Sequence, residues 1–165
     1  MNKKAVIICI ILILMISAGL IYYNNTSKID SEIPTINTNI RRGNTEYNQA
    51  VTALNSKNYS QAEKYSIDAL EKYGNASYEL DRTIELANKQ NDTILLEYLT
   101  LTKTEIDEKI NATNEILLGI NLINNNSYYS SIEHFRNSNK IMSNTTQYSD
   151  KRNQIEQNYP DKFIK

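Results

Sequence analysis

Residues 93–123 read TILLEYLTLTKTEIDEKINATNEILLGINLI, and the fold class turns on how this stretch is read. Leu95, Tyr98, Thr102, Ile106, Ile110, Thr113, Leu117 and Ile120 recur at spacings of 3 and 4 throughout. An α-helix places such positions on one stripe, whereas a strand alternates every second residue. The spacing therefore predicts one long helix from Thr93 to about Ile123. Gln90-Asn91-Asp92 before it and Asn124-Asn125-Asn126-Ser127 after it read as turns.

The flanking segments show the same period. Tyr47, Ala50/Val51 and Leu54 predict a helix over residues 44–56. Ala62, Tyr65, Ala69 and Leu70 predict another over 60–73, closed by Gly74 as a left-handed terminal residue. Asn75 can cap a third, carrying Tyr78, Leu80, Ile84 and Leu86 or Ala87. After the long helix, Tyr129, Ile132, Phe135 and Met142 mark a fifth. It weakens over 143–146 and continues through Tyr148, Arg152 and Ile155 to Pro160. With only 4 Gly and 2 Pro in 165 residues, the turns of an all-β fold are absent. The class is all-α, with a bundle of four to five helices over residues 40–160 and a short tail at 161–165.

The amino terminus is of another kind. Ala5–Tyr23 (AVIICIILILMISAGLIYY) holds no charge over 19 residues. As a helix it would cover about 28 Å, close to the hydrocarbon thickness of a bilayer. Lys3 and Lys4 precede it, and the positive-inside rule then leaves the amino terminus in the cytoplasm and the rest outside. Residues 1–23 are accordingly expected to be a transmembrane signal anchor. The alternative is a cleaved secretory signal ending in Ser17-Ala18-Gly19, which gives a secreted protein. Residues 24–39, rich in Asn and Thr and interrupted by Pro34, read as a linker.

Composition narrows the chemistry. Net charge is −1, and no basic face accumulates to track nucleic-acid phosphates. The single cysteine, Cys9, lies inside the apolar run, which leaves no intrachain disulfide or cysteine-rich metal site. His134 has no second histidine or thiol with which to share a metal, and reads as a solvent-facing residue beside Glu133. Glu105, Asp107 and Glu108 cluster on one helix, and Lys109 four residues after Glu105 offers an ion pair. No phosphate-binding loop, nucleophile elbow or His-Glu-x-x-His pattern occurs. No cofactor or metal is expected, and no enzyme.

Eight Asn-x-Ser/Thr sequons are present, and Asn58, Asn75, Asn91 and Asn125 are the candidate glycosylation sites at expected turns. The competing role for such asparagines is turn and cap geometry. Twelve tyrosines without a tryptophan supply packing aromatics, with Tyr59, Tyr65, Tyr98 and Tyr129 on apolar stripes. Tyr73 and Tyr128, each beside a stripe tyrosine or ending a helix, are the candidates for contact with a protein partner.

Tyr59-Ser60-Gln61-Ala62-Glu63-Lys64-Tyr65 and Tyr129-Ser130-Ser131-Ile132-Glu133-His134-Phe135 match seventy residues apart. Together with Ala50, Leu54, Asn58, Ala69 and Leu70, this pattern resembles a tetratricopeptide-type helical hairpin over 45–72 and, more loosely, 116–142. The resemblance implies hairpins with small residues at the helix crossing, and equivalent roles for Tyr65 and Phe135. The resulting expectation is a non-enzymatic, membrane-anchored interaction or scaffold module in the cell envelope. An extracytoplasmic ligand-binding or sensory bundle is the alternative.

Overall fold

A computed structural model describes residues 3–163, with side chains from position 29 onward and those of Met15 and Asn24. The described chain is helical throughout: α1 (Lys3–Asn55), α2 (Tyr59–Lys89), α3 (Thr93–Asn124), α4 (Tyr128–Asn144), α5 (Thr146–Asn158) and α6 (Pro160–Phe163). The all-α class follows. Helices α1, α2 and α3 alternate in direction, and α4 with α5 forms a broken fourth arm against α3.

Three tight turns of one design set this topology. Each has a left-handed residue, Lys57 (φ 57°), Asn91 (φ 54°) or Asn126 (φ 60°). The N–H groups of Asn58, Asp92 and Ser127 return to the carbonyls of Ala53, Ala87 and Leu122 at 2.9, 3.3 and 2.8 Å. Those of Lys57, Asn91 and Asn126 return to Leu54, Asn88 and Ile123 at 2.8, 3.0 and 2.9 Å. This is the Schellman closure, which satisfies carbonyls left over at a helix end. The next residue then opens the following helix. Asn58 Oδ1 accepts from Gln61 N at 3.2 Å and Asp92 Oδ1 from Leu95 N at 3.1 Å, while Ser127 makes no such bond. A connection this short forces antiparallel neighbours.

The buried residues of each arm keep a seven-residue period. On α2 they are Ala62, Ser66, Ala69, Tyr73, Ala76, Leu80, Thr83 and Ala87. Such a stripe packs helices at the shallow angle of coiled coils. Small residues on α2 allow close approach. Tyr73 fills the space opposite Gly43, where an added Cβ would lie 2.5 Å from the ring. Gly119 does the same for the ring of Phe135.

Several sequence expectations are corrected. The linker at 24–39 is helix, part of α1. Ile29 and Ile36 are buried in the core, with Ile33 and Ile40 packed against it. Burying the first two contributes about 3–6 kcal/mol, against about 3 kcal/mol for a proline inside a helix. Pro34 lies on the exposed side, so its missing N–H leaves no gap in the core. The bundle thus begins near Ile29 and not at residue 40. Gly74 does not end a helix but sits within α2, so the two helices expected over 60–90 are one. The tail is also engaged: Phe163 packs on Tyr98 with ring centres 4.8 Å apart, and Lys162 Nζ lies 2.6 Å from Asp92 Oδ2.

The repeat spacing has a geometric reading. The left-handed residues stand 34 and 35 positions apart, each interval being one long helix plus one turn. The match between Tyr59 and Tyr129 therefore spans two such intervals. Ala50, Ala62 and Ala69 are fully buried, and Tyr65 and Phe135 are both half-buried against the core.

The helix directions also define two ends. The α1–α2 and α3–α4 turns lie at one end, hereafter distal. The α2–α3 turn lies at the other, where Glu32 of α1 accepts from Thr83 Oγ1 at 2.8 Å and pairs with Arg82 at 3.2 Å. Helix α1 extends beyond this proximal end toward the amino terminus. Among the described residues no helix is long and apolar enough to cross a membrane. The expected anchor at 5–23 falls, apart from Met15, outside the described side chains.

Candidate functional site: a distal groove between α1 and α4

Helices α1 and α4 close only part of the fourth side of the bundle. Tyr47 Oη and Ser138 Oγ join them at 2.8 Å. Burial raises the Tyr47 hydroxyl above its ordinary pKa, against the lowering effect of Ser138, so it stays a neutral hydrogen-bonding group. From that bond toward the distal end the two helices leave a groove of about 430 Å³. Val51 and Leu54 of α1, Ile116 and Ile123 of α3, and Ile132 and Phe135 of α4 give it apolar walls. Its rim carries neutral polar groups from Asn55, Tyr59, Tyr128 and Asn139, and one charge, Lys57. The opening follows from the sequence of α4: its buried positions facing inward include Ser131 and Ser138, too small to fill the seam.

Exposed apolar side chains stand beside the groove, although Tyr78 and Tyr159 are exposed elsewhere. Tyr128 is 55% exposed, Ile132 44% and Tyr129 93%, with Leu118 and Ile67 also outside. Tyr129, expected on an apolar stripe, instead points to solvent because the buried stripe of α4 runs through Ser131 and Ser138.

The charged cluster read on the long helix lies elsewhere. Glu105 and Lys109 form the expected i, i+4 pair at 2.7 Å, but inside the bundle, their side chains only 9% and 8% exposed. Lys109 Nζ also donates to Asn44 Oδ1 at 2.9 Å, and Tyr73 Oη donates to the same oxygen at 2.9 Å. Arg152 of α5 pairs with Glu105. Among the described residues, the two buried side-chain atoms that lack a well-directed hydrogen bond, Glu105 Oε2 and Arg152 Nη1, are each other's ionic partners. Burial above all, with the neighbouring Tyr47 and Glu105 adding to it, raises the Tyr73 hydroxyl far above its ordinary range. Tyr98 is pushed up to about 12 by burial and by its bond to Glu156, against the pull of Arg152. These groups answer one another, and the cavity of about 100 Å³ that Tyr98 and Arg152 border is lined otherwise mainly by aliphatic core residues such as Ile33, Ile36 and Leu80. The role of the paired groups is to hold α1, α2, α3 and α5 in register.

The remaining candidates separate clearly. Tyr73 is fully buried, which removes it from any partner-binding surface; its place on the small-residue stripe of α2 takes it inward. Tyr128 lines the groove. Asn58, Asn75, Asn91 and Asn125 are all exposed, three in turns and Asn75 within α2. Asn125 Nδ2 is engaged by Asn121, at 3.0 Å to its carbonyl and 2.7 Å to its side chain. His134 is not free on the surface but holds Glu115 of α3 at 2.8 Å. Asp107 is paired with Lys103 at 2.9 Å. Among the described residues no group of three or more His, Cys, Asp or Glu could hold a metal.

Sequence reasoning missed the groove and Lys57. Both depend on which helices meet, and the available signal was Lys57 at a turn position where Asn or Gly is preferred. No protein-family model, no curated protein and no solved structure matches this chain.

Proposed function

We propose that the chain is a non-enzymatic interaction or scaffold module, anchored by residues 1–23 and displayed on the outer side of the membrane. Its partner-binding surface is the distal α1–α4 groove. The observation that carries this reading is the position of the groove, open and apolar, at the end of the bundle opposite the amino-terminal extension of α1. Exposed aromatic and aliphatic side chains beside a partly filled seam are the usual anchors of a protein interface. The tetratricopeptide-like pattern at 45–72 and 116–142 supports the same reading. Against catalysis, Glu105, Asp107 and Glu115 are each held by a basic partner.

The test is affinity capture from solubilised native membranes with a Tyr128→Ala/Ile132→Glu variant. Both residues are exposed, so helical circular dichroism and Tm should stay near those of the parent chain while capture is lost. Retained capture sinks the proposal. One observation favours a second reading, an extracytoplasmic ligand-binding bundle: 430 Å³ lies within the range of small-molecule sites. A small apolar compound that raises Tm and competes with the protein partner would select it.

A further inference from the structure

Lys57 is the odd member of three equivalent turns. At the matching left-handed positions the other two carry Asn91 and Asn126, and asparagine tolerates this backbone region better than lysine does. Two of the three turns lie at the groove's distal end, and the exception falls on the one whose left-handed residue itself lines the groove. Lys57 is also the single charge lining it, is exposed, and has no ion pair among the described residues. No carboxylate lines the groove. A residue that is locally unfavourable, unpaired and placed at the mouth of an apolar cleft has the marks of one kept for recognition.

The shape of the groove indicates the occupant. Along α4 it runs from Ser138 to Tyr128, about 15 Å at 1.5 Å per residue. That is close to three turns of helix. It lies parallel to two helices, with branched and aromatic side chains on three sides, and α3 at its floor. A fully apolar occupant would desolvate the Lys57 ammonium without compensation, at a cost that grows with burial. An occupant with a carboxylate at that end would pair with it.

We propose that the groove takes an amphipathic helix of a partner protein. The helix would present apolar side chains at i, i+3 or i+4, and i+7, and an Asp or Glu within one turn of the end that meets Lys57. This rests on the preceding reading and specifies its partner. The docked helix adds a further strand to the bundle seam where α1 and α4 fail to meet. The acidic residue sets its direction, because the opposite end of the groove offers only neutral groups, Ser138 and Asn139.

The experiment is a display selection of 16-residue helical peptides against the full chain in lipid nanodiscs, run in parallel against Lys57→Glu. Enriched peptides should show the apolar spacing and a terminal acid. Their affinity should fall at least tenfold for Lys57→Glu, and selection on that variant should enrich Lys or Arg in place of the acid. Lys57→Asn, which suits the turn, should raise Tm by about 3 °C while weakening the same peptides, separating recognition from folding. Peptides without helical spacing, peptides indifferent to both substitutions, or no enrichment at all overturn the inference. If native capture is abolished by Tyr128→Ala/Ile132→Glu while the selected peptides ignore Lys57, the interaction reading stands and this inference alone falls.

Discussion

Asp92 does two jobs with one carboxylate. Oδ1 caps α3 through Leu95 N, and Oδ2 holds Lys162 of the terminal helix. Burial tends to raise its pKa, but the lysine and the backbone N–H groups outweigh this and hold it below the ordinary aspartate value. A depressed folded pKa means stability that is complete above the unfolded value, near 3.9, and lost as pH falls through the folded one. Thermal melts between pH 6 and pH 2.5 should therefore show a component of acid destabilisation that Asp92→Asn lacks, since the amide can still cap but does not titrate. At neutral pH, Asp92→Ala should cost about 1 kcal/mol for the cap. An equal acid loss in Asp92→Asn would assign the effect to other carboxylates.

Helix pairs are governed by where small residues stand. Gly43 and Gly119 lie under aromatic rings, while nothing lies within 4 Å of a Cβ added at Gly74. Alanine should gain about 1 kcal/mol of helix propensity at each, but overpacking costs about 1–3 kcal/mol where a ring must move. Urea unfolding should thus show Gly74→Ala stabilised and Gly43→Ala destabilised. Gly119→Ala should be affected less than Gly43→Ala, because the half-buried ring of Phe135 can yield more than the fully buried Tyr73. A gain at all three positions would refute the close packing. The long helix α3 was legible in sequence almost to its ends, because apolar spacing and the Asn-rich turns on either side agreed there; residues 143–146 read only as a weakening within one helix, where the structure ends α4 and opens α5. The rest of α1 and the continuity of α2 were obscured by local signals. Pro34 and Gly74 read as breakers, although Ile29, Ile33, Ile36, Ile40, Gly43, Tyr47, Ala50 and Leu54 keep strict spacings of 4 and 3 straight through. Tertiary burial overrode local propensity. The groove was not legible, since it depends on a mismatch between two helices whose joining residues, Tyr47 and Ser138, stand 91 positions apart in sequence.

At the scale of the molecule, α1 belongs both to the bundle and to the segment beyond it. Full-length chain should stay with membranes through a high-salt wash, and chains beginning at Lys28 or Asn37 should not. The two truncations should differ from each other. Starting at Asn37 removes Ile29, Ile33 and Ile36, together with the Glu32 contacts to Arg82 and Thr83. The loss of at least about 3 kcal/mol should lower Tm by about 6–12 °C relative to the Lys28 chain. Equal melting temperatures would place the first turns of α1 outside the cooperative unit. The uninterrupted run of α1 from Lys3 to Asn55 also has a mechanical consequence. Its last turns, with Val51 and Leu54, are a wall of the groove, while its first turns hold the segment read as the anchor. In the proposed orientation a load taken at the tip would pass toward the bilayer along this one helix, with Pro34, where a helix hydrogen bond is missing, as the place that yields first. Tilting or twisting that helix at the membrane would shift one jaw of the groove against the other, so force applied at either end is felt as strain at the opposite one.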